Sequence, residues 1–119
     1  MIITFVHHSC FVAETAERTL VFDYFRNGRV KGYEFSGTLP EFDRRKPLYV
    51  FASHFHQDHF DPEVLKWAEE HPKIHYIFSK DIRLSGSYLE RNGISPKIKE
   101  KITFVQPLKT YKTDDMEIK

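Results

Sequence analysis

Three of the chain's seven histidines fall within six positions, and a carboxylate lies among them: Ser53-His54-Phe55-His56-Gln57-Asp58-His59-Phe60. Imidazole nitrogen and carboxylate oxygen are the donors that Zn²⁺ accepts, and they also suit manganese or iron. His54 and His56 are two residues apart where an extended segment ends, so their side chains should lie on one side and can share a metal ion. Asp58 and His59 follow once the chain turns and can reach a second ion beside the first. A metal pair about 3.5–4 Å apart holds a bridging hydroxide and polarises a substrate oxygen. Water bound to such a metal ionises with a pKa of roughly 7. The chemistry this pattern points to is metal-assisted hydrolysis; the plain alternative is a solvated, histidine-rich turn.

The flanking segments are the elements that would position this cluster. Pro47 to Ser53, PLYVFAS, is nearly all apolar and short, as expected for a strand buried on both faces. After the cluster, Asp61 is a good helix cap, Pro62 suits a first helical position and Glu63 complements the first turn. Val64, Leu65, Trp67 and Ala68 are the core-facing candidates, and Pro72 ends this helix just after His71. Upstream, residues 2–6, Cys10–Ala13 and Thr19–Phe22 read as three strands of an antiparallel meander, broken at His7-His8-Ser9 and at a polar turn. Residues 24–46 show no period and read as a long loop. Downstream, the pattern predicts a strand over Ile74–Phe78 and a helix capped by Ser79 that carries Ile82, Leu84, Tyr88 and Leu89 and stops at Gly93. A strand over Ile102–Val105 follows, then a polar tail in which Met116–Lys119 looks like the start of one more strand. Strands first and strand–helix alternation afterwards give the α/β (α+β) class, a mixed sheet with helices on one face.

Other residues that could do chemistry have plainer readings. His71 suits a helix C-terminus and His75 a strand position. His7 and His8 sit at a strand break, from which one could approach the cluster. Asp23 ends a strand, either as a turn carboxylate or as a group near the site. Cys10, without a cysteine partner, reads as a packed thiol.

Composition bounds these readings. A chain of 119 residues suggests one domain, 1–119, able to bury roughly two thirds of its unfolded surface. With 40% hydrophobic and 29% charged residues it reads as folded rather than disordered, and 11 Phe with 6 Tyr favour sheet. A formal net charge of +1 gives no bulk attraction to nucleic acid, which is not an expected partner. The run Arg44-Arg45-Lys46 reads as a solvated loop. A single cysteine rules out an internal disulfide framework, and no charged leader opens the sequence, so a cytoplasmic location is expected. No apolar run approaches the ~18 residues of a membrane span.

The stretch SHFHQDHF resembles the His-x-His-x-Asp-His signature of the metallo-β-lactamase superfamily. The segments ITFVHHSCFV and LVFDYF resemble the opening strands of its L-ascorbate-6-phosphate lactonase-like branch, with His7 standing where the branch has a glycine. The resemblance implies that His54 and His56 ligate a first metal and Asp58 and His59 a second, with two Zn²⁺ in a complete site. It further implies that Asp58 orients the bridging water as a catalytic group and that Asp23 stands just behind the ligands; His8, from its place at the strand break, is a candidate for the same position. The family fold is an αββα sandwich of two halves, and its third histidine, bridging aspartate and last histidine follow this motif. No histidine follows His75, so the resemblance implies an N-terminal half with an incomplete site; a fragment and a naturally short protein are both open.

Two functions are therefore expected. One is a metal-dependent hydrolase of a small-molecule ester, lactone, amide or phosphodiester. The other is a non-catalytic metal-binding or self-assembling half-domain, a homodimer formed through a sheet face that its own helices leave uncovered.

Overall fold

The computed structural model describes residues 2–7, 10–25, 40–53, 55, 60–105, 111–112 and 117–118. Six strands form one sheet in the order β1-β2-β3-β4-β5-β6: Ile2–His7, Cys10–Glu14, Thr19–Phe22, Leu48–Ala52, Ile74–Ser79 and Ile102–Val105. β1, β2 and β3 form the expected antiparallel meander, and β3, β4, β5 and β6 then run parallel. The fold is thus α/β with a mixed sheet. Two short strands, β7 (Tyr111–Lys112) and β8 (Glu117–Ile118), pair antiparallel in a separate ladder. The tail was expected to contribute only the start of one strand; the residue at which that strand was to begin, Met116, lies outside the described residues, as do 26–39 of the expected loop.

The period-two pattern sorts the sheet into two faces. On one, Val12, Val21, Val50 and Tyr76 stand in a transverse row set by the pairings Val12↔Val21, Val21↔Val50 and Val50↔Tyr76. These side chains are essentially solvent-free and join Val6, Cys10, Leu48, Ile74 and Phe78 beneath Val64, Leu65, Ile82 and Leu89 in the core. Full burial of each aliphatic side chain contributes roughly 1.5–3 kcal/mol. On the other face the register lines up Phe5, Phe11, Phe22, Phe51 and Ile77. Phe11 stacks on Phe22 at 4.6 Å and Phe22 on Phe51 at 4.8 Å between ring centroids. His75 is a strand residue as expected, stacked 5.4 Å from the Tyr49 ring on this face. In β4, Leu48, Tyr49, Val50 and Ala52 are buried, so the strand is enclosed on both faces as its unbroken apolar run predicts.

The helices are shorter than the sequence predicts. The segment after Asp61 is α-helical only over Glu63–Lys66 (α1) and tightens to a 3₁₀ turn over Trp67–Glu69. Pro72 is the reason: it cannot donate a hydrogen bond and restricts His71, so the last turn closes through Glu70 N–H and His71 N–H, both donating to the Trp67 carbonyl. The Tyr76 hydroxyl donates to the Val64 carbonyl and ties α1 to the sheet. His71 follows the turn and is buried, with Nε2 3.3 Å from the Asp43 carbonyl oxygen.

The second helix covers Gly86–Arg91 (α2) and starts from Ser85, whose hydroxyl accepts the Tyr88 N–H at 3.2 Å. Ser79 does not cap it. Its carbonyl instead accepts Ile82 N–H in a turn, and residues 82–84 run on without helix, Ile82 and Leu84 buried around exposed Arg83. Gly93, at φ +70°, terminates α2 as expected, because only a residue without Cβ enters the left-handed region without cost. A 3₁₀ segment over Pro96–Lys101, capped by the Ser95 hydroxyl, was not predicted. Among the described residues no helix is long and apolar enough to cross a membrane.

Candidate functional site

Because β3, β4 and β5 are parallel and in register, their C-terminal ends lie side by side: Phe22 pairs with Phe51 and Ala52 with Phe78. The antiparallel pairing of β2 brings Cys10, and through it the backbone of His7, to the same end of the sheet. In open α/β sheets this carboxyl end is where ligand crevices form. The chain leaves β4 here through Ser53 and returns through Phe60 and Asp61.

His54, His56, Asp58 and His59 lie outside the described residues, as does His8. What the structure describes is how the segment that carries the cluster is anchored. Asp23 follows β3 with φ +48°, a left-handed conformation that aspartate tolerates better than most residues. Its N–H donates to the Phe51 carbonyl at 2.9 Å, and its carboxylate accepts both the Ser53 N–H at 2.7 Å and the Ser53 hydroxyl at 2.8 Å. The residue immediately before His54 is thus held by two charge-assisted hydrogen bonds.

Phe55, between the first two histidines, is held from the other side of β4. Its N–H donates to Asp81 Oδ2 at 3.3 Å. Its ring, 39% exposed, rests against Phe60 at 5.7 Å and edge-on against Tyr88 at 5.6 Å. Phe60 is buried and packs edge-on against Phe78 of β5 at 5.2 Å. Asp61 is fully buried; its carboxylate accepts Glu63 N–H at 2.9 Å and its carbonyl accepts Val64 N–H at 3.1 Å. Asp61 was expected as the N-cap and Pro62 as the first helical residue; the N-cap is instead Pro62 and the helix begins at Glu63, with the Asp61 carboxylate one residue further out still accepting the Glu63 N–H.

Two groups beside these anchors are perturbed by burial and by neighbouring carboxylates. Burial first, and then the nearby charge of Asp23, push the Cys10 thiol up to about 12. Cys10 is buried, the packed thiol that was expected. Burial, followed by the charges of Glu63 and Asp61, also raises the Tyr24 phenol, whose hydroxyl lies 3.3 Å from Glu63 Oε2.

Among the described residues no group of three or more His, Cys, Asp or Glu side chains is gathered closely enough to hold a metal ion. A cavity of about 660 Å³ does exist, but it lies at the opposite end of β4, beside Leu48, Phe42, Trp67 and His71. None of the anchoring residues lines it.

A family model described as a beta-lactamase superfamily domain matches residues 2–119, nearly the whole chain. The chain belongs to the metallo-β-lactamase superfamily. No curated protein matches it. For this superfamily member the sequence reading missed Asp81 and the anchoring part of Phe55. The signal was the parallel register: extending Ala52↔Phe78 by three residues sets Phe55 opposite Asp81.

Proposed function

We propose that this chain is a metal-dependent hydrolase, zinc-dependent in the first instance with manganese or iron as alternatives, acting on an ester, lactone, amide or phosphodiester bond of a small molecule. His54 and His56 would hold one ion, and Asp58 and His59 a second. Three imidazoles and one carboxylate suit zinc by donor chemistry. When bound, such a pair supplies an activated water and charge stabilisation for a developing oxyanion. Asp58 is the proposed catalytic group that orients that water. The chain's own frame contributes positioning: Asp23 fixes Ser53 and Asp61 fixes the entry into α1, so the cluster is spanned between two tethered ends. The supporting observation is the superfamily match over residues 2–119, joined to a His-x-His-x-Asp-His segment that leaves the carboxyl end of β4. A lactone substrate and a cytoplasmic setting belong to the same proposal.

A second reading, a self-associating metal-binding module, draws on the apolar second face, where Ile3 and Phe5 are 65% and 55% exposed. A twofold pair through that face would cover it.

One experiment separates the readings: metal content by elemental analysis, together with mass by sedimentation, for wild type and for His56→Ala with His59→Ala. The hydrolase reading expects bound metal in wild type, loss in the variant, and, because no histidine after His75 can supply a third imidazole to the first ion, at most weak, chelator-sensitive turnover of ester, lactone or phosphodiester substrates. Metal uptake should weaken below about pH 6.5, where free imidazole protonates. Equal metal in both proteins would refute the ligand assignment. A metal-loaded twofold dimer with no chelator-sensitive turnover at all would favour the second reading.

A further inference from the structure

The carboxylate of Asp81 lies two residues beyond the end of β5 and reaches the motif segment. It accepts the main-chain N–H of Phe55, 26 residues earlier, at 3.3 Å. Phe55 is the single residue between His54 and His56. Consecutive Cα atoms are 3.8 Å apart across a trans peptide. Fixing the Phe55 amide and ring therefore restricts both neighbouring histidines at once, each through one peptide unit.

The ring adds a second restraint, since it packs on Phe60 and Tyr88 rather than standing free. Asp23 provides the matching restraint one residue before His54, through Ser53. Two carboxylates from the strands on either side of β4 thus grip the main chain at positions 53 and 55.

We propose that Asp81 is a positioning residue for the metal-holding histidines, acting through the Phe55 amide rather than as a ligand. This inference rests on the hydrolase reading above, in which His54 and His56 share an ion. Preorganised ligands bind more tightly because the entropy of ordering them is lost before the metal arrives. Removing an outer partner of a metal site typically lowers metal affinity by about 10–100-fold. Because Phe55 and Asp81 are both exposed, water can replace the lost hydrogen bond, and the fold itself should scarcely change.

The test measures the Zn²⁺ dissociation constant of the full chain, by competition with a chromophoric chelator, for wild type, Asp81→Ala and Asp81→Asn. Thermal melting of each metal-free protein is recorded alongside. Asp81→Ala should bind Zn²⁺ about tenfold or more weakly, with a melting shift of about 3 °C or less. Asp81→Asn keeps an oxygen that accepts the Phe55 N–H and should stay within about threefold of wild type. Wild-type affinity in Asp81→Ala would overturn the positioning role while leaving the metal reading intact. Equal loss in Asn and Ala would also overturn it, because the charge rather than the hydrogen bond would then matter, as for a direct ligand. A wild type that binds no Zn²⁺ would overturn both.

Should Asp81→Ala not fold, amide hydrogen exchange of Phe55 in metal-free wild type decides the point. Protection of about tenfold or more over a free amide supports the grip, and exchange at the free rate overturns it.

Discussion

Asp23 carries the strongest quantitative expectation in the molecule. Replacing it with alanine removes two charge-assisted hydrogen bonds, to Ser53 N–H at 2.7 Å and to the Ser53 hydroxyl at 2.8 Å. Hydrogen bonds to a charged group contribute about 1.5–3 kcal/mol each, but Ser53 is exposed and water takes over part of this, leaving about 1 kcal/mol apiece. Alanine must then adopt φ +48°, which adds about 1 kcal/mol. The expected total is a loss of about 3 kcal/mol. Asp23→Gly loses the same hydrogen bonds but tolerates the backbone angle, so about 2 kcal/mol is expected. Asp23→Asn keeps an acceptor for the Ser53 N–H and the left-handed tolerance, and should cost about 1 kcal/mol. Urea unfolding of the metal-free proteins at pH 7, with unchanged m-values, reads out the order Asn, Gly, Ala. A cycle with Ser53→Ala should show coupling of at least about 0.5 kcal/mol. Three variants within about 0.5 kcal/mol of wild type would refute the tether, and Gly equal to Ala would refute the backbone part of the argument.

Gly93 offers a cleaner case of backbone alone, since its φ is +70° and an added Cβ would meet nothing within 4 Å. Gly93→Ala should lower unfolding free energy by about 1 kcal/mol and Gly93→Asn by less, and a neutral alanine would count against the helix-stop assignment. For Cys10, the folded thiol is raised from its ordinary 9.0 to about 12, so the neutral form is favoured by folding. Its contribution is therefore fully present below pH 9 and is lost as pH rises toward 12, with a slope of up to about 1.4 kcal/mol per pH unit. At pH 8 a thiol-specific disulfide reagent should label the folded chain far more slowly than the unfolded one, and fast labelling of the folded chain would contradict a buried thiol.

The sheet was legible because its strands are written twice, once in period-two alternation and once in turn residues. Val21 and Val50 fall on one face and Phe22 and Phe51 on the other, in the sequence pattern and in the register alike. β4 was recognisable as a strand closed on both sides because no polar residue interrupts Leu48–Ala52. The helices were less legible. Ser79 and Ser85 are both competent caps, and the decision between them rests on Ile82 and Leu84, whose two-residue spacing belongs to extended chain and not to a helix. The Ser95-Pro96 pair was a start signal of the same kind, with too short an apolar period behind it to be read as an element. At the site, the spacing of His54, His56, Asp58 and His59 is the sequence ground for the proposed metal ligands, and Asp23 is visible as the carboxylate that ends a strand. Asp81 could not be seen this way, because its meaning depends on which strand lies beside β4 and in what register.

That dependence says something about how such a site is built. Asp23, Asp61 and Asp81 each accept a main-chain N–H of the motif segment or its exit, at Ser53, Glu63 and Phe55. The anchors come from the ends of β3 and β5 and from the start of α1, elements that rest on the core around Val50 and Tyr76. A substitution in the cluster should then change what the site binds with little effect on the fold, whereas a substitution at Asp23 should change both. The two classes are distinguishable by comparing metal affinity with unfolding free energy, residue by residue.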